Sequence, residues 1–399
     1  MRGGFMNTTK KLNSIDYIEC VLLSIILCMN AIRTIFGIAE SNSIILFIYF
    51  LYILCIINKF SIGIYRNTFT ISAGILVVYA FFTVFIYGIN YDINSFSVWL
   101  KFFIGMLIAL KTLSLSKEQL HIILNMIIFI CVVYAAFIIT NYNTVVSFTN
   151  HESNYLNTTL PLGLCLSMLL PKLFEKNKLA QKTFFFLICI LVFYAMIQFA
   201  ARGNLLFPII AALLAVLLKS TGKKDLFIKL IVFTIIVYIG YVFMNSYASD
   251  YLLGRLDRLF YSTMEESRIG LWGRDLKLLF TNNNWFFGIG IHGYKNYTGT
   301  YPHNFLLEIF CELGIIGIST SLFILIKLLT DIIKSAIIKR REKLGSTDFY
   351  LIFSGLVFFI LTFSKSYSIY DGYQLFVLIA MQININNKTQ EPLTERICK

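Results

Sequence analysis

The residues best suited to chemistry in this chain surround one histidine. His303 follows Tyr301 and Pro302, and Asn304, Glu308 and Glu312 come after it. Spacing of i, i+4 and i+8 puts those three on one helix face. An imidazole titrates near neutral pH and can take a proton from an attacking hydroxyl. The plainer alternative is an interfacial histidine that only hydrogen-bonds a carbonyl. Two carboxylates at the start of an apolar run are expensive in lipid, so their face is expected to look into a helix bundle or a wet cavity. Pairing with basic residues of the preceding loop is the competing role. Arg202, in QFAARGN, stands between two apolar runs with almost no loop. Its planar fork suits a diphosphate, against the alternative of snorkelling to headgroups. Arg268 sits four residues before Trp272, and Asn154, with His151 and Glu152, precedes another apolar run, where it is a candidate for lining a sugar site. Arg33, Lys101 and Lys365, charges within or at the ends of apolar runs, rank below Arg202 and His303.

The elements that must hold these residues are apolar helices. Of 399 residues 58% are hydrophobic and 14% charged, against about 25% charged in soluble domains, and the mean hydropathy is +0.75. Apolar runs fall near 15–37, 43–58, 69–88, 96–115, 119–140, 154–171, 183–200, 203–218, 226–244, 304–326, 349–364 and 367–384. Most approach the roughly 20 residues that cross a bilayer. The expected fold is therefore an all-α polytopic membrane protein of about twelve transmembrane helices. The net charge of +13 sits in short blocks between runs, which marks topology and not a nucleic-acid stripe. Connections after the first, third and fifth runs hold no Lys or Arg, while those after the second, fourth, sixth, eighth and tenth are basic. Both termini are then expected in the cytoplasm. The first run has span length and no A-x-A-like site after it, so no cleavable signal peptide is expected.

One membrane domain, 1–399, is expected, with a single sizeable external segment, 245–302, inserted between the ninth and tenth spans. Two stretches of it, SDYLLGRLDRLFYS and SRIGLWGRDLKLLF, carry apolar residues at helical spacing and read as short amphipathic helices capping the bundle. Basic and acidic residues nearly balance there, so an anion site would rest on individual arginines. Gly288, Gly290 and Gly293 spell G-x-G-x-x-G, but no strand–helix unit surrounds them, and they read as a tight backbone turn instead of a nucleotide fingerprint. The eight cysteines form no C-x-x-C pair and lie mostly within apolar runs, as small buried hydrophobes do. No Asp-x-Asp metal pair occurs in an outward segment.

In order along the chain come Ala201-Arg202-Gly203, Ser267-Arg268 with Leu271-Trp272, Gly288-Ile289-Gly290, and Tyr301-Pro302-His303-Asn304 through Glu308, Glu312 and Gly314. This order resembles the O-antigen ligase/O-antigen polymerase family of bacterial envelope glycosyltransferases. Ala201 departs from the Ser or Thr usual before the Arg-Gly pair. The resemblance implies transfer of a glycan from an undecaprenyl diphosphate carrier to an acceptor hydroxyl, at the periplasmic face of the inner membrane, without metal or other cofactor. It implies His303 as catalytic base, Arg202 and Arg268 as ligands of the diphosphate, and Asn304, Glu308, Asn154 and Tyr301 as candidates for binding the sugar or acceptor. The implied partners are the lipid-linked glycan, membrane lipid and a chain-length regulator protein, with no nucleic acid. The Tyr-Pro-His-Asn-x-x-Leu-Glu form resembles the polymerase branch; ligation to lipid A-core is the alternative. A flippase or transporter of lipid-linked oligosaccharide is the reading from another class, and it predicts inverted repeats, of which the chain has none evident.

Overall fold

In a computed structural model, residues 12–38, 42–56, 67–86, 93–151, 155–175, 178–199, 202–247, 272–273, 275–277, 279–280, 284–342 and 347–397 are described. Every described regular element is helical: α1 Ser14–Leu27, α2 Met29–Phe36, α3 Asn42–Ile56, α4 Thr68–Ile86, α5 Ile93–Thr112, α6 Lys117–Thr140, α7 Tyr142–His151, α8 Tyr155–Lys172, α9 Leu179–Ile197, α10 Arg202–Lys219 and α11 Lys223–Tyr247, then α12 Gly293–Thr298, α13 Phe305–Glu342, α14 Thr347–Phe363 and α15 Tyr373–Ile397, with a 3-10 turn Ile369–Asp371 before α15. Of these, α4, α6, α9, α11 and α13 are long and apolar enough to cross a bilayer, and the bent pair α1–α2 makes a sixth if taken as one span. The fold is that of an all-helical membrane protein.

Local chemistry sets the helix starts. Asn13 and Asp16 cap α1 reciprocally, each side chain accepting from the other's backbone N–H at 2.9 Å. Ser116 and Gln119 do the same for α6. Such boxes satisfy two orphan donors of the first turn. In the bundle, α8, α10 and α14 pack tightly together, and α5 pairs closely with α15. Gly163 lets α8 approach α14: a Cβ there would lie 2.5 Å from the Phe358 ring. The Ser354 hydroxyl donates across the same contact to the Ser167 carbonyl at 2.7 Å. Small residues are what such close crossings require. By contrast α11 stands at the margin with only 6% of its apolar window buried.

Three expectations from the apolar runs change. The first run is broken at Cys28, where α1 and α2 meet at 79°. The tenth run extends to Glu342 as a helix but is interrupted at Gly314 (φ 59°, ψ −156°). The last helix starts at Tyr373, six residues later than expected, and runs past 384 although Gln382, Asn384 and Asn386 are polar and buried. The start is delayed because Glu308 holds Ser368 and Ile369 in the 3-10 turn. The extension is tolerated because Asn384 donates to the Thr112 and Leu115 carbonyls at 2.7 and 2.9 Å, giving a buried amide its partners. Glu19 of α1 is buried in the bundle, 3.6 Å from the Lys111 ammonium.

The break in α13 is closed from outside the helix. In an unbroken helix the Cys311 and Glu312 carbonyls accept from residues 315 and 316. Here they accept from Ile289 N at 3.0 Å and Gly290 N at 2.9 Å, while Ile315 N donates to the Trp285 carbonyl at 2.9 Å. Such an approach excludes side chains: a Cβ on Gly288 (φ 80°) would lie 2.2 Å from the Glu312 carbonyl oxygen, and one on Gly314 2.3 Å from that of Phe286. Gly288→Ala is therefore expected to cost at least about 2 kcal/mol through combined backbone strain and overpacking. Gly74, with open space around it, is the control. Thermal unfolding in detergent should show a lower midpoint for Gly288→Ala and little change for Gly74→Ala; equal midpoints would refute the close approach.

Candidate functional site

The strand of loop spliced into α13 also leans on α4. The Tyr79 hydroxyl donates to the Phe287 carbonyl at 2.7 Å, and Ile291 N donates to the Thr83 hydroxyl at 3.3 Å. Just beyond it, α12 begins on His292, which has a left-handed backbone (φ 62°). Glu312, fully buried on α13, takes that end: one carboxylate oxygen accepts from His292 N at 2.8 Å and the other from Tyr294 N at 3.1 Å. The Tyr294 phenol donates to buried Asp275. Burial, then the hydrogen bond and charge of Asp275, push that phenol above its ordinary range.

Glu308, one turn earlier, does the same job toward the other side. Its oxygens accept from the Ser368 hydroxyl and from Ile369 N, both at 2.7 Å. Tyr370 follows in the same turn; burial, then the nearby Glu312 and Glu308 carboxylates, raise its phenol. The two carboxylates on one α13 face thus anchor two separate loops through backbone N–H groups. The bundle-facing orientation expected for them is observed.

Between these anchors lies the His303 turn. His303 has a positive φ of 57°, a conformation uncommon outside glycine. Residues on both sides hold it there. The Trp272 indole donates to the Pro302 carbonyl at 3.1 Å. The Tyr301 hydroxyl donates to the Ser366 carbonyl at 2.9 Å, and its ring lies 4.2 Å from the imidazole. Asn304 caps α13, its side-chain oxygen accepting from Leu306 N and Leu307 N at 3.0 and 3.1 Å. Strained conformations persist only where their surroundings over-determine them, and they cluster at functional sites.

Among the other expected site residues, Arg202 is the first residue of α10. Two residues on, buried Asn204 donates to the Leu156 carbonyl at 3.0 Å and the Thr159 hydroxyl at 2.7 Å, fixing the start of α10 against the start of α8. Arg268 and Asn154 lie outside the described residues, as do all of the first of the two expected cap helices and much of the second, which is helical at 272–273, 275–277 and 279–280. Arg33 is buried in α2 beside Thr34. Lys365, ranked low on sequence grounds, is brought into this region: its ammonium lies over the Phe207 ring of α10, 6.0 Å from the centroid. Ser366, which helps orient the His303 turn, carried no distinguishing sequence signal, while Trp272 stood in the motif around Arg268 but was not itself a candidate. Among the described residues no group of three or more His, Cys, Asp or Glu side chains is arranged to hold a metal ion. No known family model matches the chain, and no curated protein sequence matches it.

The roles of Glu312 and Glu308 are separable. Glu312→Gln turns an acceptor into a donor opposite buried backbone N–H groups, at a cost of about 1–3 kcal/mol. Hydrogen exchange at the amides of His292 and Tyr294 is expected to speed up with Ile369 unchanged, and Glu308→Gln should do the reverse. Equal effects of both variants at both places would contradict separate anchoring.

Proposed function

We propose that this chain is a membrane glycosyltransferase that joins lipid-linked oligosaccharide repeat units, in the manner of an O-antigen polymerase. The single observation that carries this reading is the His303 turn, a titratable side chain in a positive-φ conformation fixed by Trp272, Tyr301 and Asn304. Preorganisation of that kind suits a general base that must meet an incoming hydroxyl. The start of α10 at Arg202 is linked to the same region through Phe207, Lys365 and Ser366, which supports one site shared by a base and anion-binding groups.

In this reading the chain spans the inner membrane about twelve times, with 245–302 as a periplasmic cap and both termini cytoplasmic. The acceptor hydroxyl of one lipid-linked repeat attacks the anomeric carbon of another glycan. His303 takes the hydroxyl proton, the new C–O bond forms, and the bond from that carbon to the phosphate oxygen breaks. The bonding pair leaves with the lipid diphosphate, whose charge Arg202 and Arg268 stabilise. Free energy comes from the activated donor, so no nucleotide is consumed.

A transporter of the same lipid-linked glycans is the second reading, favoured by the interrupted helices at Cys28 and Gly314. Transporters use broken helices to turn freed backbone groups toward a substrate or ion. The groups freed near Gly314 are instead taken by 285–290, which supports catalysis.

His303→Gly separates chemistry from folding, because glycine adopts this backbone without strain. Its stability is expected within about 1 kcal/mol of wild type, the strain relieved offsetting the extra unfolded-state entropy. Polymerisation is expected to fall by about 10²–10⁴-fold, read as loss of long glycans with single repeats still attached to lipid A-core. No attached repeats, with lipid-linked polymer accumulating, would indicate ligase. Repeats trapped on the cytoplasmic leaflet would indicate a transporter, and normal glycans would remove His303 from the mechanism.

A further inference from the structure

Lys365 lies in the turn between α14 and α15, and its position there is firmly set. Ser364 N, Lys365 N and Ser366 N donate back to the Ile360 and Thr362 carbonyls at 2.9–3.1 Å, continuing the end of α14. Two residues further, Ser368 and Ile369 are held by Glu308. The turn is therefore tied down on both sides of the lysine.

Two contacts place it between the halves of the site. On one side its ammonium lies over the Phe207 ring, a cation–π contact at the outer limit of range. That ring also covers Gly203, the residue after Arg202: a Cβ there would lie 3.1 Å from it. On the other side the next carbonyl, that of Ser366, receives the Tyr301 hydroxyl, and the Tyr301 ring lies 4.2 Å from His303. The turn that carries Lys365 thus bridges the start of α10 and the histidine turn.

We propose that Lys365 binds the phosphate groups of a lipid diphosphate ester at this site. The proposal rests on the reading of the site as one for a diphosphate-linked donor. An ammonium is a compact charge with three donors, matched to an anion whose terminal oxygens are several and can rotate. Held on a rigid turn beside the α10 start, it meets the leaving group where negative charge grows as the sugar departs. Against an esterified monophosphate the same ammonium has fewer oxygens to engage, so it contributes selectivity for the diphosphate as well as affinity.

The test uses the full chain in phosphatidylcholine nanodiscs with farnesyl diphosphate, farnesyl monophosphate and farnesol as probes. Wild type is expected to bind the diphosphate more tightly than the monophosphate. Lys365→Gln should weaken the diphosphate about tenfold, which corresponds to about 1.4 kcal/mol, narrow its preference over the monophosphate, and leave farnesol and the unfolding midpoint unchanged. Lys365→Arg should retain most of the binding. Undiminished diphosphate binding by Lys365→Gln, or an equal loss for all three probes, would overturn the assignment of Lys365 while leaving the donor class intact. Wild type that does not distinguish diphosphate from farnesol would overturn the donor class and this proposal together.

Discussion

A helix inside a membrane protein cannot be interrupted without new partners for the backbone groups it releases, and α13 is interrupted at Gly314. The interruption is answered by a stretch of loop whose backbone takes up the Cys311 and Glu312 carbonyls and the Ile315 N–H. The exchange demands contact between two backbones, so both must lack side chains at the crossing, at Gly288 and Gly314. Much else follows from it. The short helix α12 can start only where the spliced loop ends, and Tyr79 and Thr83 of α4 find their acceptor and donor on the same loop. The break also makes Phe305–Leu313 a separate short helix, free to set its axis by what lies at its start, the His303 turn.

The carboxylates show why this short segment is rigid. Glu312 and Glu308, one turn apart, each receive backbone N–H groups from a different loop, and each is nearly inaccessible to solvent. A charged acceptor strengthens such bonds roughly twofold over neutral ones, which offsets part of the cost of burial. Three pieces of irregular backbone, 285–294, 301–304 and 364–369, are thereby fixed to one helix of nine residues. Catalytic geometry needs placement to within about half an ångström, and loops reach that only when tied in this way.

Much of the helical framework was legible in the sequence, since most of the apolar runs fall largely on a single helix and periodicity needs only residue types. The bend at Cys28 was hidden because no proline or glycine marks it. The turn at Ile369–Asp371 was hidden inside an apolar run; what makes it is a carboxylate sixty residues away. The candidate site divided in the same manner. His303, Glu308 and Glu312 were recognisable by type and spacing, and the glycines by their need for unusual backbone. Their partners were not, because a backbone N–H is present at almost every position and sequence does not say which one a carboxylate will meet. Lys365 was undervalued for a related reason, its neighbour Phe207 being an ordinary aromatic in an ordinary helix.

This division bears on how the chemistry is shared. Carboxylates near a histidine invite assignment as its acid–base partners, yet the oxygens of both glutamates of α13 accept from loops that flank the histidine, from three backbone N–H groups and the Ser368 hydroxyl. Protonating or moving either would release a loop before it delivered a proton. In the proposed reaction their contribution is therefore positional, and proton transfer is assigned to the imidazole. Charge stabilisation is then assigned, in the same proposal, to cations on other elements, the arginine that begins α10 and the lysine that follows α14. A site of the proposed kind, assembled from four segments with its acid–base group on one and its cations on others, would react only when the bundle holds all of them in register. The spliced helix that fixes the loops is also what makes that register possible.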